Sequence, residues 1–221
     1  MRELLFVTIA LLGLATITGA WLDRSADRLP RSRVHETTPL PAVDAAPADA
    51  MASHGLDADD LAARAEIHRF LTERHSGLAD AELARVATTI VVEARRQRLE
   101  PMLVLGLIRV DSAGYAFAVS SVGAYGLMQI MPPTGEMLAT RLGVAWHGAD
   151  TLFDPVVNVR LGTAYLRELV DRYAGDVPTA LAAYNWGPGR IDQKLRSGAG
   201  VPQLYITQVM TAHEELAARR M

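Results

Sequence analysis

The chain has 221 residues, half of them apolar, enough to fill one sizeable core but no more than one domain with accessory segments. Its 22 basic and 25 acidic residues leave a formal charge of -3, so no long-range field draws it to nucleic acid, and the basic run Arg95–Arg98 reads as helix-terminal cations facing water. Cysteine is absent, which excludes disulfides, thiolate metal ligands, a cysteine nucleophile and a lipid-modified amino-terminal cysteine; the six histidines have no metal-ligand spacing, so neither metal nor cofactor is implied.

Residues 1–22 read as a signal peptide or membrane anchor. Leu4 to Leu22 is almost uninterrupted apolar sequence, long enough to span a hydrocarbon layer of ~30 Å. Thr18-Gly19-Ala20 offers small residues for cleavage, whereas Arg24, Arg28, Arg31 and Arg33 beyond the run argue against simple translocation. Residues 23–56, with four prolines among Ala, Asp and Thr, read as a disordered linker. Residues 57–221 turn to helical patterning and form the folded domain, all-α, with about seven helices and no convincing two-residue alternation.

The first of these helices is expected over Asp57–Ser76, with Leu61, Ala65, His68 and Thr72 repeating and Leu71 alongside. The second is capped by Asp80 and carries Leu83, Val86, Ala87, Ile90 and Val91 inward. Pro101 suits the first position of a helix through Val110, with Leu103, Leu107 and Val110 as its stripe. A short helix follows near Pro132–Leu142. Asp154-Pro155 is a cap-and-start pair for a longer one carrying Val159, Gly162, Leu166, Leu169 and Tyr173, which Gly175 ends. Val177–Asn185 and Pro202–Arg219 complete the set, with Gly187-Pro188-Gly189 stopping the former.

Three blocks carry chemistry: IRVDS at Ile108–Ser112, GAYGLMQIMP at Gly123–Pro132 and AYNWGPG at Ala183–Gly189. Asp111 follows Leu107 by four residues and Ile108 by three, which turns its carboxyl toward the buried side near the negative end of the helix dipole. Both effects favour a protonated acid, although a helix-terminal acid bonded to nearby amides has the same spacing. In the second block Gly123 and Gly126 let backbone approach a ligand closely, Met128 and Met131 offer adaptable apolar surface, and the Gln129 amide both donates and accepts; a turn feeding a buried segment is the plainer reading. Ser120 is a turn former or a substrate contact. Tyr184 and Asn185 supply a phenol and an amide at a helix end, and Trp186 covers core or offers a flat apolar face to a ligand.

In this order and separation the blocks resemble the soluble lytic transglycosylases, a family of goose-type lysozyme-like fold that cuts peptidoglycan, over roughly residues 80 to 215. The resemblance implies that a single carboxyl protonates the MurNAc-GlcNAc β-1,4 oxygen, then takes the proton of the MurNAc C6 hydroxyl as it closes to 1,6-anhydro-MurNAc. The family's Glu falls on Asp111, with Ser112, Ser120, Gly123, Gly126 to Gln129 and Pro132 in register. It further implies that Ser120, Met128, Gln129, Met131, Tyr184 and Asn185 meet the substrate and that peptidoglycan glycan strands in the periplasm or cell envelope are the partner; the apolar run adds the option of an inner-membrane tether, and an association with secretion or envelope machinery goes with the alternative below. Asp for Glu withdraws the carboxyl by one methylene, about 1.5 Å, and an alternative follows from it: a weakened, glycan-binding member of the family.

Overall fold

The computed structural model describes residues 55–219. The expected signal or anchor segment lies outside the described residues, as does the linker up to its last two positions, of which Leu56 already packs on the core. Eight α-helices and one short 3-10 helix make up the described residues, with no strand among them, as the all-α expectation requires. No helix among the described residues is long and apolar enough to cross a membrane.

Helix α1 spans Ala58–Glu73 and opens on a reciprocal cap, in which the Asp57 carboxyl accepts from the Asp60 N–H at 2.9 Å and the Asp60 carboxyl accepts from the Asp57 N–H at 3.4 Å. Its buried face is Ala63, Ile67, Phe70 and Leu71, whereas Leu61, expected inside, is 48% exposed. The helix turns its bulkiest apolar side chains inward, because a buried Ile, Leu or Phe each contributes about 1.5–3 kcal/mol where Ala65 and Thr72 offer little. Helix α2 spans Asp80–Arg96 and buries the five residues expected of it; Ala79, not Asp80, is its cap position, and the Glu82 carboxylate accepts from the Ala79 N–H at 3.0 Å. Arg95, far from being an idle surface cation, donates at 2.7 Å to the buried Asp60 and at 2.9 Å to Asp57, tying α2 to the start of α1.

Helix α3, Pro101–Ser112, runs through the middle of the core, with Met102 to Ile108 buried without a break. It ends in two left-handed residues, Ala113 at φ 53° and Gly114 at φ 88°, and a Cβ on Gly114 would stand 2.9 Å from the Phe70 ring of α1. After α4, Pro132–Leu142, and the 3-10 helix Ala149–Phe153, Asp154 caps α5, Pro155–Arg172, accepting from the N–H groups of Val156 and Val157. Helix α6, Val177–Trp186, is followed by α7, Pro188–Arg196, the element missing from the sequence reading. Gly187 at φ 84° breaks the direction and Pro188 takes the first position of the next helix, so Gly-Pro-Gly is both stop and start. The last helix, α8, spans Gln203–Ala218 and crosses α3 at Gly106, where a Cβ would meet the His213 backbone nitrogen at 3.0 Å and the Val209 carbonyl at 3.1 Å. That close crossing sets the start of α8 beside the end of α3.

Candidate active site

Asp111 is the penultimate residue of α3, and the phenol of Tyr205, in the first turn of α8, donates to its Oδ1 at 2.8 Å. The other oxygen, Oδ2, is shut off from solvent and has no hydrogen-bond partner among the described residues. Loss of water around the charge pushes the Asp111 carboxyl up to about 7, the Tyr205 bond pulls the other way, and no guanidinium or ammonium group among the described residues offsets the burial. An acid so placed is divided between its protonated and ionised forms near neutral pH. Tyr205 and Tyr184 are both held well above the ordinary phenol range, by burial first and then by the charge of Asp111, so both hydroxyls stay protonated donors. Tyr165 of α5 packs on Tyr184 with ring centroids 5.4 Å apart.

The segment Tyr125–Ile130 is held beside this carboxyl by side chains from three helices. Ser112, next to the acid, has its Oγ 2.8 Å from the Leu127 carbonyl. Asn158 of α5, fully buried, accepts from the Met128 N–H at 2.8 Å and donates to the carbonyls of Tyr125 and Leu152, both at 2.9 Å. Tyr184 of α6 donates to the Met128 carbonyl at 2.8 Å. The backbone can come this close only because Gly126, at φ 79°, has no Cβ: one would stand 2.3 Å from Asn158 Nδ2. Irregular backbone buried in a core needs such partners, since each unmade bond costs about 1–3 kcal/mol.

The residues expected to meet substrate are placed unequally. Gln129, at φ 42°, spends its amide N–H on the Gly126 and Ala118 carbonyls, at 2.8 and 3.2 Å, and its side-chain oxygen takes no bond among the described residues. Ser120 shapes a turn, its Oγ accepting from the Ala124 N–H at 2.9 Å. Met131 is 40% exposed at the cap of α4, and Asn185 is exposed at the end of α6. Met128 departs from the expectation of an apolar cleft surface: its side chain is wholly buried against Gly162, and only its backbone serves the site. Tyr184 donates its hydroxyl to the Met128 carbonyl close to Asp111, and it is the Tyr205 phenol that bonds the Asp111 carboxyl. Tyr205, Asn158 and Tyr165 are absent from the sequence reading. Two further acids are otherwise placed: Glu136 is exposed and Asp154 is occupied as a cap. Among the described residues no cluster of three or more potential metal ligands occurs.

An acid at a helix end, a Gly-Leu-Met-Gln loop clamped beside it and an Ala-Tyr-Asn helix across from it fall within the stretch that matches the transglycosylase SLT domain family, residues 88–203, just over half of the chain. The chain belongs to that family. Tyr205 lies just past the matched stretch of this SLT domain. Among curated relatives, a transglycosylase of Enterobacteria phage PRD1 is 40% identical over 116 residues, covering 47% of this chain and 40% of the phage protein. The soluble lytic murein transglycosylase of Salmonella typhimurium is 36% identical over 97 residues, 43% of this chain and 15% of that protein. The chain thus spans well under half the length of these relatives. Among solved structures, an inactive mutant of the lytic transglycosylase Slt from Pseudomonas aeruginosa superposes with a TM-score of 0.54 at 31% identity, over 59% of this chain and 24% of that one. The 70 kDa soluble lytic transglycosylase of Escherichia coli shares the fold, with a TM-score of 0.50 at 21% identity over 69% of this chain and 28% of that one.

Proposed function

We propose that this SLT-domain protein is a peptidoglycan lytic transglycosylase that cleaves the MurNAc-GlcNAc β-1,4 bond with Asp111 as its single acid and base. The observation that carries the reading is the Asp111 carboxyl, buried without a cationic partner among the described residues and held up to about 7, beside a loop clamped by Asn158, Ser112 and Tyr184. In the first step the protonated carboxyl gives its proton to the glycosidic oxygen, the bond from that oxygen to the MurNAc anomeric carbon breaks, and GlcNAc leaves with a free 4-hydroxyl. Positive charge then develops on the anomeric carbon. In the second step the C6 hydroxyl of the same MurNAc bonds to that carbon, and its proton passes to the Asp111 carboxylate, which restores the acid. Water is neither consumed nor released, and no second carboxylate is needed.

Tyr205 orients the carboxyl through Oδ1. Gln129 presents its side-chain oxygen, Asn185 its amide and Met131 its thioether to the glycan, with Ser120 shaping the turn at their side. The relatives that support this reading include one named as membrane-bound. With the apolar run Leu4–Leu22 it favours action in the cell envelope, after export or from a membrane tether.

The test is product analysis. The full chain incubated with isolated sacculi should release anhydromuropeptides, lighter by one water than reducing-end products, and Asp111→Asn should lower the rate by about 10²–10⁴-fold. Equal release by Asp111→Asn would sink the assignment. The enclosure of Oδ2 favours a second reading, a family member that binds glycan and cuts it slowly, because a shortened carboxyl facing inward must swing out to reach a leaving oxygen. Asp111→Glu separates the two, since restored reach of about 1 Å is worth on the order of a hundredfold. A gain of that size identifies the weakened site, and a loss identifies a cleft adjusted to Asp.

A further inference from the structure

From Ser112 to Gly135 the chain has no Asp, Glu, Lys, Arg or His, in a protein of which 21% of residues are charged. The stretch is not all core. After the end of α3 it comes to the surface, where Tyr115, Phe117, Val119 and Val122 are all exposed, Val122 by 74%. Large apolar side chains scattered singly over a surface need no explanation, but four of them between positions 115 and 122, with no charge among them, form a patch.

These side chains are held in place before anything covers them. Tyr115 and Phe117 meet edge to face with ring centroids 5.9 Å apart, Phe117 continues to Phe153 at 6.1 Å, and Phe153 to Tyr125 of the clamped loop at 5.2 Å. The Tyr115 and Phe117 rings rest on the turn between α1 and α2 at Gly77, φ 80°, where a Cβ would stand 3.0 Å from the one and 3.1 Å from the other. Val122 is carried on a tight turn, in which the Gly123 N–H donates to the Ser120 carbonyl at 3.0 Å, the Ser120 N–H to the Ala124 carbonyl and the Ala124 N–H to the Ser120 Oγ, both at 2.9 Å. Rings fixed at their base lose little freedom when their outer faces are covered, and N–H groups already spent inside a turn leave water at little cost.

An uncharged face of Tyr, Phe and Val suits the boundary of a bilayer, where phenyl and valine side chains enter the acyl region and a tyrosine hydroxyl stays at headgroup level. The same chain carries a route to that bilayer in the apolar run Leu4–Leu22. Residues 23–55 separate the run from Leu56 and, whatever path they take, extend at most about 3.3–3.6 Å each, which keeps the domain of an anchored chain within roughly 120 Å of its membrane. A weak lipid contact is then made at high effective concentration. We propose that the loop Tyr115–Val122 seats the domain on a lipid bilayer, its ring and valine side chains entering the boundary between headgroups and acyl chains. The proposal rests on the membrane-tether arm of the reading above and is independent of the chemistry at Asp111. The chain enters the domain at the start of α1 and the patch lies against the turn past the end of that helix, so the seat is a second point of attachment.

The absence of cysteine lets a single spin label report on the loop. The full chain with Val122→Cys, labelled and reconstituted in vesicles of phosphatidylethanolamine and phosphatidylglycerol, is compared with Leu195→Cys, an exposed position on α7. Relative to a water-soluble nickel chelate, lipid-soluble oxygen should reach the label at position 122 several-fold better than that at position 195. The ratio should be the same at low and high salt, since no charge takes part, and Phe117→Glu should bring the two positions together. Equal accessibility at both positions of a vesicle-bound chain overturns the seat and leaves the tether reading standing, whereas a chain that stays off the vesicles overturns both. Dipolar broadening between labels on separate copies would make the loop a contact between copies, and protection by soluble glycan strands with no lipid present would make it part of the cleft; each result overturns the proposal.

Discussion

Tyr205 and Asp111 oppose one another in a way that fixes the direction of a pH effect. A phenol hydrogen bond to Oδ1 favours the ionised carboxylate, while burial favours the neutral acid and prevails. The proposed first step consumes the protonated form, so kcat/KM should be level below about pH 7 and fall as pH rises through the value at which Asp111 ionises. Tyr205→Phe removes the one influence that holds the value down. Its falling limb should therefore move to higher pH, by about one to two units, since a bond to a charged group is worth about 1.5–3 kcal/mol and a unit is 1.36. A pH-rate profile of the variant measures it; a limb that stays in place, or moves down, means that Tyr205 does not bond the titrating oxygen.

At the scale of elements, the placement of that tyrosine depends on the α3–α8 crossing. Gly106 admits α8 to backbone contact, and any side chain there meets main-chain atoms at 3.0 to 3.3 Å, which cannot rotate aside. Gly106→Val should push α8 outward and cost roughly 2–3 kcal/mol, a fall in Tm of about 5–10 °C for a domain of this size, and the displaced Tyr205 should shift the pH limb as Tyr205→Phe does. Thermal melts with a pH profile check both. The crossing also explains what was legible in the sequence. Helices whose apolar residues outweigh their other faces, such as α2 and α5, read correctly, except that Tyr173, expected on the α5 stripe, is only partly buried just past the helix end. Helix α1 did not, because small and large apolar residues fall on two competing stripes and only packing volume chooses between them. Helix α7 hid behind a Gly-Pro-Gly that signals an end more strongly than a beginning. Asp111, Gln129 and Tyr184 could be found because they sit inside short blocks. Tyr205 and Asn158 could not, since each is one polar side chain in an apolar stripe, and its partner is set by tertiary contact across 94 and 30 residues of chain.

For the molecule as a whole, one buried acid makes stability depend on pH in a direction opposite to that of most carboxylates. With a folded value of about 7 and an ordinary unfolded value near 3.9, Asp111 keeps its proton in the folded chain over a range where the unfolded chain has released it. Its contribution is fully present below about pH 4, declines as pH rises, and is gone above about pH 7, where the folded state must bury a charge. Other groups titrate in the same experiment. The Asp57 carboxyl is held low by the Asp60 backbone N–H and by Arg95, and that of Asp192 by Arg172 and Tyr173, so both lose stabilising bonds as pH falls, whereas burial raises Glu93 and acts in the same sense as Asp111. A difference between two proteins cancels all three. Asp111→Asn keeps the shape and one hydrogen-bonding oxygen but carries no titrating proton. Compared with the native chain by urea unfolding, it should be about equal in stability near pH 4 and more stable at pH 8 by on the order of a few kcal/mol. A constant difference across that range would mean that Asp111 ionises alike in the folded and unfolded chain. The burial that the proposed chemistry requires would then be absent in solution, since the same desolvation that destabilises the fold at alkaline pH is what keeps a proton available for a glycosidic oxygen near neutrality.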